Sequence, residues 1–86
     1  MSIFKFFKRT TINGEALKNI RENSNITREE LANLIYVTPY IIQSWEEGWG
    51  IMNPSSGEIS GMAEIFNMTE DDLREKINAS EENDYE

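Results

Sequence analysis

Neither cysteine nor histidine occurs among the 86 residues. Lack of thiols excludes a disulfide framework and cysteine-based metal sites, and makes the cytoplasm the default location. Lack of imidazole as well removes Ser/His and Cys/His catalysis, the usual zinc sites and the commonest general base near neutral pH. The chain is therefore expected to be no enzyme, and to need no metal and no cofactor. Long apolar runs are missing too: none approaches the roughly twenty residues of a membrane span. The opening Ile3-Phe4-Lys5-Phe6-Phe7-Lys8-Arg9 is too short and too broken by charge to be a signal peptide. So short a chain buries only about three-fifths of its unfolded surface, which supports one core. A soluble single domain is expected.

What is present in excess is negative charge, with a net value of -8. Alone, that argues against a polyanionic partner. Its distribution changes the argument. Up to residue 45 there are six cations (Lys5, Lys8, Arg9, Lys18, Arg21, Arg28) against four anions (Glu15, Glu22, Glu29, Glu30). From residue 46 onward only Arg74 and Lys76 face twelve acids. The excess belongs to the second half, so the front half can still approach phosphate.

Apolar periodicity and capping residues predict five short helices. After Gly14, Leu17 and Ile20 mark an amphipathic turn that Asn23-Ser24-Asn25 ends. Thr27-Arg28-Glu29-Glu30 has the form of a capping box, and Leu31, Ala32 and Ile35 share one face of the helix it opens. Thr38-Pro39 starts a third helix, with threonine as cap and proline where no N–H is needed. Ile42 and Trp45 face the core from it, and Gly48 can end it in a left-handed conformation. After a loop to Pro54, Ser55-Ser56-Gly57-Glu58 opens a fourth helix carrying Ile59, Met62, Ala63 and Phe66. Thr69-Glu70-Asp71-Asp72 opens a fifth, with acids at the positive end of its dipole and Leu73 and Ile77 inward. Residues 1–13 read as a basic, aromatic arm, 14–78 as the domain and 79–86 as an acidic, disordered tail.

The second and third helices form the informative pair. Ala32 stands ten residues before Ile42, with Val37 between them. A small residue lets the two helices approach closely, and the branched pair plugs the angle between them. The outer face of the third helix is then free to enter a major groove.

The run Leu17-x-x-Ile20-Arg21, Ile26-Thr27-x-Glu29-Glu30-Leu31-Ala32, Val37-Thr38, Ile42-x-x-Trp45-Glu46-x-Gly48 and Pro54-Ser55 resembles the Xre/Cro family of helix-turn-helix regulators, which includes lambdoid phage repressors. The stretch from Gly14 to Ser55 is similar to antitoxin-type members. The resemblance implies an all-α fold, a compact five-helix bundle of the lambda repressor-like DNA-binding kind. It implies that Arg21 and Glu46 form a structural ion pair. The positions matching the family's DNA contacts are Arg28, Thr38, Pro39, Tyr40, Gln43 and Ser44. Gln43 is the expected base reader, since its amide can bond adenine bidentately. Arg28 and the backbone amides at the start of the third helix are expected to hold phosphate.

The chain departs from that pattern in places. Tyr36 stands where the family has glycine, so the turn either avoids positive φ or carries strain of about 1 kcal/mol. The third helix has no cation, and Leu34, Ile41, Tyr36 and Tyr40 are expected to form an apolar surface patch of the kind that marks an interface. Trp45 is expected to pack in the core, and Trp49 to lie over the core or in a dimer surface. The segment Phe4 to Arg9 reads as a DNA-reaching arm, a partner-binding segment or an edge strand. Asp71-Asp72 and Glu81-Glu82 lack the alternating ligand spacing of a calcium loop and read as solvated.

Together these features predict a sequence-specific DNA-binding regulator of bacterial or phage origin, more readily a repressor than an activator. It would act as a homodimer on a pseudopalindromic operator. The alternative is an acidic protein-binding module on the same scaffold, an antirepressor, an antitoxin bound to its toxin or a phage inhibitor.

Overall fold

The computed structural model describes residues 12–50 and 52–79, so the segment Phe4 to Arg9 and the tail beyond Ala79 lie outside the described residues. Among the described residues five helices follow one another: α1 (Gly14–Asn23), α2 (Arg28–Ile35), α3 (Pro39–Glu47), α4 (Ser56–Ile65) and α5 (Glu70–Ile77). α1 packs on α3 and α5, α2 on α3 and α4, and α4 on α5. One shared core results, built from Leu17, Leu31, Ala32, Ile35, Ile42, Trp45, Ile59, Met62, Ala63, Phe66, Leu73 and Ile77. These are the apolar positions that the periodicity assigned inward. The expected five-helix, all-α architecture is present, and no described helix is long and apolar enough to cross a membrane.

Each helix begins where a side chain can cover free backbone amides. Thr27 Oγ1 accepts from Glu30 N at 3.0 Å while Thr27 N donates to Glu30 Oε1 at 2.9 Å, a complete capping box. Ser55 and Glu58 repeat the arrangement at α4. Thr38 and Thr69 cap α3 and α5 by the same hydroxyl contact. Such caps are worth about 1 kcal/mol each, which matters for helices of two or three turns that would be marginal alone.

Two features at the N-terminal edge extend the domain beyond its expected start. Ile12 is buried in the core, and Asn13 caps α1 through Oδ1, which accepts from Ala16 N at 3.1 Å. Asn13 N also donates to the last carbonyl of α5, Ile77 O, at 2.7 Å. At the other edge Ala79 is half-buried against the core and its N–H donates to Arg74 O at 2.8 Å, so it belongs to the end of α5 rather than to a free tail. Trp45 is buried as expected, though its Nε1 has no hydrogen-bond partner among the described residues.

Gly14, the first residue of α1, lies directly against the end of α3: a Cβ there would fall on the carbonyl oxygens of Trp45 and Glu46. Only glycine permits this approach. It sets the positive end of the α1 dipole beside the negative end of α3, a favourable arrangement.

The turn between α2 and α3 resolves the question raised by Tyr36, which adopts φ 65° and ψ 41°, the left-handed region, while its side chain is 93% exposed. Among the described residues three other non-glycine residues have positive φ, Asn25, Asn67 and Asn78. Asparagine tolerates this conformation through local hydrogen bonding, whereas tyrosine has no such compensation. The strain is real, and no buried contact of the ring offsets it.

Two substitutions test these statements in urea or thermal unfolding. Tyr36→Gly is expected to raise stability by about 0.5–1 kcal/mol, net of the extra freedom of the unfolded chain, or about 3–6 °C. Gly14→Ala is expected to lower it by about 2–3 kcal/mol, because the contact is with backbone that cannot yield. A neutral Gly14→Ala would show that α1 and α3 do not meet as described.

Candidate nucleic-acid interface

α2 and α3 are joined by Tyr36, Val37 and Thr38, with Ala32 and Ile42 fully packed between them and Val37 half-buried at the angle. This is the helix-turn-helix arrangement, with one side of α3 turned away from the core. Thr38, Pro39 and Tyr40 are exposed at the start of α3, Gln43 is half-buried one turn on, and Glu47 is exposed at the end. The Thr38 hydroxyl is occupied as the cap, accepting from Ile41 N at 3.3 Å. Pro39 has no N–H, which leaves the Tyr40 amide as the unpaired donor at this helix start.

Ser44 is placed differently from expectation. It is 1% exposed, and its hydroxyl donates to Ile41 O at 2.7 Å within the helix. A side chain so enclosed cannot reach a base edge, so Ser44 leaves the set of candidate contacts and joins the scaffold. Serine is small enough to lie flat on its own helix and bond back to it, where a longer side chain would project.

Arg21 and Glu46 meet as the resemblance implied. Arg21 Nε donates to Glu46 Oε2 at 2.6 Å and Nη2 to Oε1 at 3.2 Å, a forked pair, while Nη1 donates to Ile26 O at 2.8 Å. The Glu46 side chain is 1% exposed. The hydrogen bonds it donates to Glu46 hold the Arg21 guanidinium above its already high ordinary pKa, against the opposing effect of burial.

What the sequence reading did not foresee is that Arg28 joins this pair. Its Nε donates to the same Glu46 Oε1 at 2.9 Å, and its Nη2 lies 3.5 Å from Glu47 Oε2, with the Arg28 side chain 25% exposed. Glu22 stands 4.0 Å from Arg21 at the far end. A chain of alternating charge, Glu22–Arg21–Glu46–Arg28–Glu47, thus crosses α1, α2 and α3. The arginine expected on phosphate is drawn inward by two carboxylates. The available signal was Glu46-Glu47 in the last turn of a helix with no cation of its own, an unfavourable place for anions that calls for arginines from neighbouring helices.

The outward face of α3 is instead aromatic. Tyr40 is 56% and Trp49 48% exposed, and their rings lie 5.6 Å apart, tilted by 51°. Leu34, Tyr36 and Met52 are also exposed, whereas Ile41, expected on this surface, packs partly against the core. The expected apolar patch thus loses Ile41.

The network predicts unequal costs. Glu46→Gln removes the shared carboxylate and leaves two guanidiniums without it, so a loss of about 3–5 kcal/mol is expected in denaturant titration, and Arg21→Ala should approach it. Arg28→Ala removes a partly exposed partner and should cost about 1 kcal/mol. Equal costs at Arg21 and Arg28 would contradict this ranking.

The chain is similar to the HTH-type transcriptional activator BcrR of Enterococcus faecalis, with 36% identity over 59 residues. That match takes in 69% of this chain and 28% of the relative, so the chain spans little more than a quarter of the relative's length. A helix-turn-helix family matches residues 14–78, all five helices of the bundle, and the chain belongs to this family of helix-turn-helix domains.

Proposed function

We propose that the chain is a cytoplasmic, sequence-specific DNA-binding transcription regulator of the Xre/Cro kind that reads its operator with α3. The observation that carries the reading is the exposed start of α3, with Tyr40 and Gln43 one turn apart on a helix that Ala32, Val37 and Ile42 hold at the helix-turn-helix angle. The relative from Enterococcus faecalis, named as a transcriptional activator, supports a role in transcription regulation. Gln43 reads adenine, and the Tyr40 amide together with Thr38 and Pro39 seats the helix start against the phosphate backbone. Two copies act as a homodimer on a pseudopalindrome with half-sites about one helical turn apart. Repression by occlusion and activation use the same contacts, and the position of the operator relative to the promoter sets the sign.

With Arg28 held by Glu46 and Glu47, few cations among the described residues face the phosphates. Binding then has a shallow salt dependence, with log K falling on log salt at a slope of about -2 to -4 for the dimer. The test is a gel shift of the full chain on the DNA upstream of its own gene at low salt. A shift is expected, Gln43→Ala should weaken it about 5- to 100-fold with an unchanged melting temperature, and no shift at micromolar protein would overturn the proposal.

The second reading, a protein-binding module such as an antitoxin or antirepressor, is favoured by one observation, the exposure of Leu34, Tyr36 and Met52 on a chain of net charge -8. Under that reading a pull-down retains one protein partner while DNA and heparin columns retain nothing, and Gln43→Ala has no effect.

A further inference from the structure

We propose that Trp49 positions the ring of Tyr40 as an apolar reader of the thymine 5-methyl group, so that the half-site places an A·T pair against this ring pair. The inference rests on the DNA-binding reading above and names the base chemistry that the interface selects. Tyr40 is the second residue of α3, three positions before Gln43, so both lie on one helix face. Trp49 comes nine residues after Tyr40 and returns to it because the chain reverses at Gly48, which has φ 75°. The return is fixed by backbone: Trp49 N and Gly48 N both donate to Ser44 O, at 3.0 and 3.1 Å. The two rings then meet at 5.6 Å and 51°, within the range of favourable tilted aromatic pairs. Each keeps about half its surface exposed, so the contact orients the Tyr40 ring without covering it.

Elimination leaves little else on this face to read a base. The Thr38 hydroxyl caps the helix, Ser44 is enclosed, Arg28 is held by carboxylates and Glu47 repels phosphate. An amide and an aromatic ring remain. In the major groove adenine offers N7 and N6, which suit the Gln43 amide, and thymine offers a methyl, which suits an apolar ring. Three residues of helix advance about 4.5 Å, and successive base pairs are about 3.4 Å apart, so the two side chains address the same or adjacent pairs. A G·C pair carries no methyl and gives the ring nothing to cover.

The test compares the full chain on two synthetic duplexes, poly(dA-dT) and poly(dA-dU), which differ in the thymine methyl. Fluorescence anisotropy at low salt should show about four- to tenfold tighter binding to the thymine polymer, the worth of a covered methyl group or slightly more. Trp49→Ala and Tyr40→Ala should bring that ratio close to one while melting temperatures hold, since both side chains are exposed. Trp49→Phe and Tyr40→Phe should keep most of it. Equal affinity of the wild-type chain for both polymers would overturn the methyl reading and leave the proposed function standing. Binding to neither polymer overturns the thymine reading alone, since the gel shift on the upstream DNA decides the proposed function separately. A ratio that survives Trp49→Ala overturns the positioning role of Trp49.

Discussion

The buried carboxylate of Glu46 is the group on which the arrangement of the first three helices depends. It sits at the negative end of α3, where a second negative charge is unfavourable, and it is almost fully withdrawn from water. Only cations delivered from other helices make that position tolerable. Arg21 from α1 and Arg28 from α2 both reach it, so the three helices share one electrostatic requirement. Arg21 also closes the turn before α2 through Ile26 O. The same end of α3 receives the start of α1 at Gly14, with the two dipoles opposed in sign. Orientation of α3, and hence of any side chain that it turns outward, is set from this end.

That arrangement has a consequence for recognition. Of the described cations, two of the three on α1 and α2 are bound to Glu46, and the exposed face of α3 carries Glu47 rather than a cation. Long-range attraction to a polyanion is correspondingly small. Short-range contacts then decide what this face binds, and those available are the Gln43 amide and the Tyr40–Trp49 pair. The strained, exposed Tyr36 lies in the turn before α3 and borders a surface hollow with Leu34, Ser55 and Glu58.

Much of the fold is legible in the sequence because its signals are local. A hydroxyl three residues before a glutamate or aspartate, or a proline after a threonine, fixes a helix start within one turn, and each of the four starts read this way is where the caps place it. The Asn13 cap and the buried Ile12 escaped this reading, since one asparagine beside a glycine signals a turn as readily as a cap. The candidate site was less legible because its key contacts are non-local. Arg28 and Glu46 are eighteen residues apart, and the sequence does not say whether an arginine at a helix start turns outward to phosphate or inward to a carboxylate. Ser44 failed for a related reason: its helical position is shared with residues that project, but its length lets it bond back to Ile41. Trp49 could be placed near the core or an interface, whereas its partner Tyr40 depended on the reversal after Gly48.

A face with few free cations has one further property. Phosphate contacts strengthen binding to every sequence alike, while base contacts strengthen it to one. A regulator must find its operator among a great excess of other sites, so the ratio of the two affinities matters more than either. Under the proposed function, withholding Arg28 from phosphate lowers both affinities together and leaves their ratio to the amide and the rings. In the proposed homodimer symmetric pairing would restore useful strength, because two half-sites held at fixed spacing convert the second encounter into an intramolecular one. On this argument the acidic composition, which at first excludes a nucleic-acid partner, is compatible with a selective one, provided that the protein works as a pair.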